Sequence, residues 1–479
     1  MRLARKAGEA ADAKQIDAGV RLALDAMQAG PALAAPHFAM GRLRELAGDL
    51  AAAETSYRRA IALEPGHARS CNNLGAVLVY QGRIGEALAC YRQALALDPD
   101  QPEANRNVAI LTHEPATWEA AIRGYLRRIA TDPTDARAHA SLGDIYRGLG
   151  RVADARASLD RAIALDPLDA EARYGKAMLL LTCGEYTEGW REYEWRWRMD
   201  NQYSNPARRF TGPAWDGRVV EGTILMHGEM AIGESLQFVR YARLVAARCK
   251  RVVFECAPRL KPLLAGVEGV AHLVSPGDPL PVFAAHVPLF SLPRLFGTTL
   301  ENVPWQGPYL HADPQRVAQA RPLFSRDVGA RLAVGLAWSG NPQNPHNRER
   351  SIDPALLAPL AHVPGIAWYS LQAGTAGANL PAGMDIVDLA ARERDLLDTA
   401  AFIASLDLVI TIDTSIAHLA GALGARTWVL LNRTPDWRFH LERADNPWYP
   451  GMRLFRQARE GEWRDVVDEV AGELGKPLG

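Results

Sequence analysis

The feature that most constrains this chain is a 34-residue period that runs through its first 200 residues. Prolines recur at that spacing at Pro65, Pro99, Pro133 and Pro167, and Pro31 lies one period earlier. Other positions keep the same register: Tyr57, Tyr91, Tyr125 and Tyr193 with Leu159 in the gap, Ala53, Ala87, Ala121 and Ala155, and Gly41, Gly75 and Gly143. A period of this length predicts a stack of identical supersecondary units, each of which buries its apolar face only against its neighbours.

The composition of each period indicates a helix–turn–helix unit. Gly48, Gly82 and Gly150 stand where the first helix must turn, and the proline stops the second helix. We count four good repeats, at 34–67, 68–101, 102–135 and 136–169, with a degenerate unit before them and a divergent one at 170–203.

These residues resemble the tetratricopeptide repeat, an α-solenoid module. Such solenoids present a concave surface, which predicts a polypeptide partner on that face. Four asparagines on first helices either bind peptide backbone there or are solvated polar positions: Asn72, Asn73, Asn105 and Asn107.

Composition excludes several classes of protein. With 479 residues and a formal net charge of −1, the chain predicts two to four domains and no general attraction to nucleic acid. Five scattered cysteines predict neither a disulfide framework nor a zinc site, which fits a cytoplasmic setting. We also expect no secretory signal and no membrane span.

The second half alternates strands and helices, which predicts parallel sheets with helices on their faces. We expect the repeat solenoid at 1–203, a first α/β domain at 204–312 and a second at 313–479. The Pro-rich stretch from His286 is interpreted as the exit from the first α/β domain. Aromatic residues at helical spacing in the divergent repeat predict packing onto the next domain: Trp190, Trp195 and Trp197.

Ligands of such sheets bind outside the carboxyl ends of the strands. One strand delivers Asp413, Thr414 and Ser415 onto the first turn of a helix, and His418 follows one turn later. Free N–H groups and the helix dipole favour an anion there. Ordinary capping of the helix without a ligand is the alternative.

A second strand ends in a polar loop whose members are Trp338, Ser339, Gly340, Asn341, His346, Arg348 and Arg350. Arginine can clamp a phosphate through two hydrogen bonds, and only six of the 54 basic residues are lysines. The alternative is a solvated surface loop. Gln372, at the end of a third strand, either contacts a nucleobase or sugar or is structural.

In the first α/β segment, Gly228, Glu229, Gly233 and Glu234 lie between a strand and a helix. Glycines let a ligand approach the turn. A carboxylate at Glu234 that faces the cleft can act as a general base. It can equally open the helix without any chemistry.

Together these segments resemble the bacterial glycosyltransferases that carry tetratricopeptide repeats. The second half is similar to the ADP-heptose:lipopolysaccharide heptosyltransferase family and, more distantly, to O-linked N-acetylglucosamine transferases. The matching residues are 188–190, 193–197, 228–234, 288–304, 335–342, 350–352, 370–372, 413–424, 435–438 and 446–457.

The resemblance implies a GT-B pair of Rossmann-like domains and an inverting transfer that needs neither metal nor cofactor. The donor is a nucleotide-diphosphate sugar and the acceptor a hydroxyl, most simply one on a protein recruited by the repeats. Glu234 would deprotonate the acceptor. The diphosphate would be held by Arg350, Thr414, Ser415 and His418. Trp338, Ser339, Gly340, Asn341 and Gln372 would line the donor site, and Asp413 would orient the loop or touch the sugar. Additional candidates are Glu229, Gly233, His346, Arg348 and Asp436.

Two departures from that family motivate an alternative. The family usually has Gly-Asp where this chain has Gly233-Glu234, and the loop before Arg350 differs from the usual pattern. The alternative is a catalytically impaired repeat protein that acts as a scaffold for protein–protein interaction.

Overall fold

The computed structural model describes residues 2–12, 15–112, 114–199, 210, 212–229, 232–324, 332–341, 347–374, 380–381 and 383–476. The chain forms two compact units, Met1–Ala172 and Arg173–Gly479. Within the described ranges, no helix is long and apolar enough to cross a membrane. All five cysteines are free thiols.

The first unit is an array of antiparallel helix pairs. Its helices are α1 (Arg2–Asp12), α2 (Ile16–Ala29), α3 (Ala34–Leu46), α4 (Leu50–Leu63), α5 (Ala68–Tyr80), α6 (Ile84–Leu97), α7 (Pro102–Thr112), α8 (Pro115–Thr131), α9 (Ala136–Gly148) and α10 (Val152–Leu165). The helices of each pair pack on each other and on the following pair. Each of the four predicted repeats covers one of the pairs α3–α4 to α9–α10, as a helix–turn–helix period requires.

The turns are built as the sequence predicts. Gly48, Gly82 and Gly150 have positive φ angles of 77°, 76° and 68°, a conformation that favours glycine. Gly184, which continues the series one period later, has a φ of 81°. The second helix of each good repeat ends two residues before the repeated proline.

A second glycine of the repeat sets the spacing within a helix pair. A Cβ atom on Gly41 would lie 2.5 Å from the ring of Tyr57, and one on Gly75 would lie 2.6 Å from the ring of Tyr91. The two tyrosines are buried, so each glycine lets the two helices of its pair approach around a ring. This close packing explains why a glycine and a tyrosine recur together in the period.

The second unit begins within the divergent repeat. The boundary between the units falls within helix α11 (Ala170–Thr182), which is followed by α12 (Tyr186–Tyr193) and a 3-10 helix (Glu194–Arg198). Trp190 is fully buried and packs edge-to-face on Trp437, with ring centroids 5.0 Å apart. The predicted packing role of Trp190 is therefore confirmed, whereas Trp197 is 37% exposed.

The rest of the second unit is α/β. Its strands are β1 (Val220–His227), β2 (Cys249–Glu255), β3 (His272–Val274), β4 (Ala285–Pro288), β5 (Leu332–Ala337), β6 (Ile366–Ser370), β7 (Ile386–Asp388), β8 (Leu408–Ile412), β9 (Thr427–Leu431) and β10 (Met452–Arg456). Its further helices are α13 (Ile232–Phe238), α14 (Ala242–Ala246), α15 (Lys261–Leu264), α16 (Leu292–Leu295), α17 (Pro314–Ala320), α18 (Asn347–Arg350), α19 (Leu396–Ala404), α20 (Ser415–Ala422) and α21 (Arg464–Leu474).

The strands form two parallel sheets, one from strands that precede residue 312 in the sequence and one from strands that follow it. One has four strands in the order β3-β2-β1-β4, and the other has six in the order β10-β9-β8-β5-β6-β7. Side chains on one face of the six-stranded sheet join the buried cluster that contains Trp190, and those on the other face form a second cluster. Burial on both faces is typical of parallel sheets. The predicted α/β architecture is confirmed, and the predicted domain boundaries stay predictions.

Two strands correct the sequence interpretation. The stretch from His286 does not leave the first sheet, because residues 285–288 form β4 and pair with β1 in parallel. Pro288 is accommodated because β4 is an edge strand, where a missing N–H costs no ladder bond. The strand β10, at an edge of the other sheet, is also absent from the predicted strands.

The glycine–tyrosine contact predicts the effect of filling its space. Gly75→Ala places a methyl group against the Tyr91 ring, so we expect the free energy of unfolding of the first unit to fall by about 1–3 kcal/mol. Gly85→Ala is the matched control, since a Cβ there meets nothing within 4 Å. Urea denaturation of the full chain, followed by circular dichroism, measures both. Equal stability of the two variants would contradict the packing role of Gly75.

Candidate functional site

The candidate site lies at the topological switch point of the six-stranded sheet. The chain runs from β5 outward to β6 and β7, then returns to the other side of β5 to form β8, β9 and β10. The crevice therefore opens between the carboxyl ends of β5 and β8, the place where ligands of open α/β sheets bind. Ser339 and Gly340 follow β5, and Asp413 and Thr414 follow β8, so four predicted residues meet there.

Gln372 builds the loop after β5. Its Oε1 accepts hydrogen bonds from the backbone N–H groups of Trp338, at 2.9 Å, and Ser339, at 2.7 Å. Gln372 is itself buried, and its Nε2 donates to the carbonyl of Ala373. The side chain therefore supports the loop, the structural alternative of the two considered from sequence.

Arg350 covers Gly340 and approaches Asp413. A Cβ on Gly340 would lie 3.1 Å from Arg350 Nη2, and Arg350 Nη1 lies 3.8 Å from Asp413 Oδ2. The Nε of Arg350 is buried and, within the described residues, has no hydrogen-bond partner. Asn347 Oδ1, over the same glycine, is likewise buried and unbonded there. Buried polar atoms are rarely left unpaired, so this arrangement suits a bound group that completes the hydrogen bonds.

The helix α20 begins at the same crevice. Thr414 is its N-cap, and its hydroxyl accepts a hydrogen bond from the N–H of Ile416 at 3.3 Å. Ser415, the first helical residue, is exposed. The capping alternative is thus realised at Thr414, while the positive end of the helix dipole still faces the crevice.

Charged groups gather around Asp413. Burial and, next in size, the neighbouring Asp436 raise the pKa of the Asp413 carboxyl to about 6, against the lowering influence of Arg350 and Arg438. Arg438 donates from Nη1 to Asp436 at 2.7 Å and from Nε to Gln237 at 2.6 Å. Because Gln237 lies on α13, Arg438 ties the helix after β1 to this site.

His418 is packed between the loops of the two sheets. A Cβ on Gly233 would lie 2.8 Å from His418 Cδ2, so the glycine lets α13 approach α20 closely. The ring Nδ1 lies 3.1 Å from the hydroxyl of Tyr449. Burial lowers the pKa of His418 well below its ordinary value, and Arg438, Arg240 and Arg350 lower it further. At neutral pH this favours the uncharged imidazole.

Both carboxylates in the turn after β1, those of Glu229 and Glu234, accept hydrogen bonds from the protein. Glu234 is buried, and its Oε1 accepts a hydrogen bond from the backbone N–H of Glu229 at 2.7 Å. Glu229 accepts from Arg196 Nε at 2.7 Å and Nη2 at 3.0 Å, and from the N–H of Phe290 at 3.0 Å. Glu229 is thus engaged in a buried ion pair.

That ion pair occupies the switch point of the four-stranded sheet. The strand order of this sheet reverses between β1 and β4. Glu229 follows β1, and Phe290 follows β4. Arg196 has no exposed side-chain surface and also bonds Glu194 and Ser291. Of the two switch points, this one is filled by a protein side chain.

The remaining predicted residues differ in exposure, and one of them lies outside the described residues. Asn341 and Arg348 are exposed, and Trp338 is buried in the cluster beneath the sheet. His346 lies outside the described residues. The residues that sequence reasoning missed are Arg196, Gln237, Asn347, Arg438 and Tyr449. Three of them stand in segments that resemble the glycosyltransferase family, which is the signal that could have found them.

The asparagines of the repeat array are not simply solvated. Asn105 is buried and donates to the carbonyls of Pro99 and Gln101, at 3.0 and 3.1 Å, so its amide N–H groups are used internally. Asn107 donates to Asn72, and Asn72 donates to Asn73. They form a hydrogen-bonded row that joins α5 to α7.

Comparisons with known proteins identify the repeats. Two family models match, one described as TPR repeat over residues 75–114 and one described as Tetratricopeptide repeat over residues 140–194. Among solved structures, the tetratricopeptide protein TTC0263 of Thermus thermophilus is 18% identical, covering 38% of this chain and 98% of its own, with a TM-score of 0.32. The pilus biogenesis factor PilW is 20% identical, covering 41% and 90%, with a TM-score of 0.31.

A curated relative extends beyond the repeats. Protein FlbA of Caulobacter vibrioides is 28% identical over 335 residues, which are 63% of this chain and 54% of FlbA. The chain thus spans about half the length of the relative it matches. The chain contains tetratricopeptide repeats, which are modules of protein–protein interaction, followed by an α/β unit.

The buried ion pair predicts a large cost when one partner is removed. Glu229→Gln removes the buried counter-charge of the Arg196 guanidinium and leaves only the partly exposed Glu194 beside it, so we expect the second unit to lose about 3 kcal/mol of unfolding free energy. The exposed pair Lys250–Glu221 supplies the control, since Glu221→Gln should change stability by less than about 1 kcal/mol. Thermal and urea unfolding measure both variants. A folded Glu229→Gln variant of unchanged stability would refute the structural role.

The raised pKa of Asp413 predicts that a variant without this charge becomes more stable, relative to wild type, as the pH rises. A carboxyl whose pKa is higher in the folded state stabilises the fold in its protonated form. This stabilisation is complete below the unfolded pKa, near 3.9, and is lost as the pH rises through about 6. The stability of Asp413→Asn relative to wild type should therefore rise between pH 4.5 and 7.5. Urea midpoints across that range test this, with the exposed Asp385→Asn as control. A flat or falling difference for Asp413→Asn would contradict it.

Proposed function

We propose that this protein is a glycosyltransferase whose second unit binds a nucleotide-diphosphate sugar at the switch point between β5 and β8. The observation that carries the proposal is the Arg350 guanidinium, whose buried Nε has no hydrogen-bond partner within the described residues, beside the first turn of α20. A diphosphate supplies acceptor oxygens for such donors. In that case the two α/β halves are a GT-B pair.

The proposed reaction is an inverting transfer. The acceptor hydroxyl oxygen forms a bond to the anomeric carbon of the sugar as the bond from that carbon to the diphosphate oxygen breaks. The proton of the hydroxyl passes to the Glu234 carboxylate, and the nucleoside diphosphate leaves with the bonding electron pair. Arg350 and the dipole of α20 stabilise the charge that develops on the leaving oxygen.

The repeat array supplies the second part of the proposal. Tetratricopeptide repeats bind polypeptides, and a module that recruits a protein to a sugar-transfer site suggests that the acceptor hydroxyl belongs to that protein. The donor is a nucleotide sugar, and the acceptor is a serine or threonine hydroxyl or a saccharide already attached to the recruited polypeptide.

One observation favours a second candidate, a scaffold without catalysis. The proposed base Glu234 already accepts a hydrogen bond from the Glu229 N–H inside the turn, and a carboxylate stabilised by hydrogen bonds is a weaker base. A scaffold of this kind would still bind a nucleotide at the switch point. It would not hydrolyse or transfer the sugar.

Ligand binding tests the proposal directly. A thermal-shift panel of UDP-, GDP- and ADP-sugars should stabilise the full chain, because about 100-fold excess over Kd adds roughly 2.7 kcal/mol to folding. Arg350→Ala should weaken binding of the stabilising ligand on the order of 10- to 100-fold, since hydrogen bonds to charged groups contribute about 1.5–3 kcal/mol. Arg459→Ala, at an exposed surface pair, is the matched control and should bind normally.

The outcomes separate the two candidates. Release of sugar or its transfer to a polypeptide by the wild-type chain supports the glycosyltransferase. Binding without either reaction supports the scaffold. No stabilisation by any member of the panel, or equal binding by Arg350→Ala and Arg459→Ala, would overturn the assignment of this site.

A further inference from the structure

Asp413 and Arg350 face each other at the candidate site without a hydrogen bond between them. Arg350 Nη1 lies 3.8 Å from Asp413 Oδ2, which is close enough for an ion pair but too long for a hydrogen bond. The Asp413 side chain is only 16% exposed, and in the described part of the chain its carboxylate accepts no hydrogen bond. Groups that are this enclosed normally complete their hydrogen bonds, so the pair suits a ligand that supplies the missing partners.

The second carboxylate of the site, that of Asp436, is already satisfied by the protein. Its Oδ1 accepts hydrogen bonds from Arg438 Nη1 at 2.7 Å and from the backbone N–H of Arg438 at 3.0 Å. Hydrogen bonds of this kind favour the charged form of a carboxyl, and Asp413 has none of them among the described residues. Of the two neighbours, Asp413 is therefore the one placed to take up a proton. Its pKa, which burial and Asp436 raise to about 6, agrees with this assignment.

The charges around Asp413 leave little attraction for an anion while both carboxyls are ionised. The titratable groups come from three segments: Arg350 from α18, His418 from α20, and Asp436 and Arg438 from the residues after β9. Burial favours the uncharged imidazole of His418 at neutral pH. On α13, which packs on α20, Glu234 accepts a hydrogen bond inside its own turn. Two ionised aspartates balance the two guanidinium groups, whereas protonation of Asp413 leaves one positive charge in excess.

The geometry places a bound diphosphate within reach of the Asp413 carboxyl. A phosphate oxygen that accepts from Arg350 Nη1 at about 2.8 Å lies at most about 7 Å from Asp413 Oδ2. Two negative charges this close in a poorly hydrated crevice repel each other, which favours protonation of the carboxyl. The protonated carboxyl does not repel the phosphate, and its O–H can donate a hydrogen bond to a phosphate oxygen.

We propose that a diphosphate enters this site together with one proton, which the Asp413 carboxylate takes up from solvent to become a neutral hydrogen-bond donor. This inference rests on the proposed function, to which it adds a role for Asp413. The sequence resemblance implies instead that Asp413 orients the loop or touches the sugar. A carboxylate that accepts a hydrogen bond from a sugar hydroxyl is stabilised in its charged form, so binding would then release protons. The two roles differ in the direction in which the proton moves.

Isothermal titration calorimetry of the full chain measures that direction. UDP-glucose, GDP-mannose and ADP-glucose serve as probes, because a diphosphate that is esterified at both ends does not titrate near neutral pH, whereas a terminal phosphate has a second pKa of about 6. Binding enthalpies at pH 7 in two buffers of different ionisation enthalpy give the number of protons exchanged. We expect a net uptake of roughly half to one proton, and an affinity that falls by up to about tenfold per pH unit between pH 6 and 8.

Variants assign the proton to a residue. Asp413→Asn resembles the protonated carboxyl, since its amide is neutral and can donate, so it should bind without proton uptake. At pH 8 it should bind the nucleotide sugar on the order of tenfold more tightly than wild type, and at pH 5.5 equally well. Asp385→Asn, on an exposed side chain, is the matched control and should keep the wild-type uptake. His418→Asn should also keep it, because the proton is taken up by Asp413.

The remaining outcomes would overturn the inference. Proton release by the wild-type chain would assign Asp413 to a ligand hydroxyl. Uptake that persists in Asp413→Asn, or that disappears in His418→Asn, would place the proton on another group. Binding without any proton exchange would refute the inference and leave the proposed function intact. If none of the three probes binds, the proposed function fails and this inference with it.

Discussion

The buried ion pair between Arg196 and Glu229 lies where the strand order of the four-stranded sheet reverses. An open parallel sheet leaves a crevice where its strand order reverses, and this unit has two such sheets. In the four-stranded sheet, Arg196 from the end of the divergent repeat enters that crevice and bonds Glu229 through two nitrogens. Removing Arg196 would leave the buried Glu229 carboxylate without a cation, and removing Glu229 would leave Arg196 with only the partly exposed Glu194.

The six-stranded sheet differs because its crevice ends in groups that lack a full set of partners within the described residues. Arg350 leaves its Nε unbonded, and Asn347 leaves its Oδ1 unbonded. Asp413 is driven toward its protonated form by burial and by Asp436, which raise its pKa. A polar site with unused donors near a helix N-terminus suits an anionic ligand, whereas the crevice of the other sheet has been completed by protein.

Sequence reasoning was strongest where the decisive contacts are local. The 34-residue period predicted the helix pairs because each pair depends on a contact such as Gly75 with Tyr91, sixteen residues apart. The carboxyl ends of parallel strands meet at one edge of a sheet, so the sequence also predicted that Gly340 and Asp413 lie at the same edge. The edge strands β4 and β10 were missed because neither is a continuous apolar run: β4 ends in Pro288 within a Pro-rich stretch, and β10 carries Arg453 and Arg456 among its five residues.

The side chains that define the electrostatics of the site were beyond such reasoning. Arg438 meets Gln237 across 201 residues, and the Tyr186 hydroxyl accepts from Trp448 across 262. Neither separation leaves a periodic signal. Only the assembled structure shows these contacts.

The central claim is that the two switch points are unequal, one closed by Arg196 and one open to an anion. The most direct measurement is a crystal structure of the full chain with the nucleoside diphosphate that gives the largest thermal shift. We expect diphosphate oxygens within hydrogen-bonding distance of the Arg350 guanidinium and the first turn of α20, with the Arg196–Glu229 pair intact. A diphosphate bound at the carboxyl ends of β1 and β4, with that pair broken, would contradict the claim.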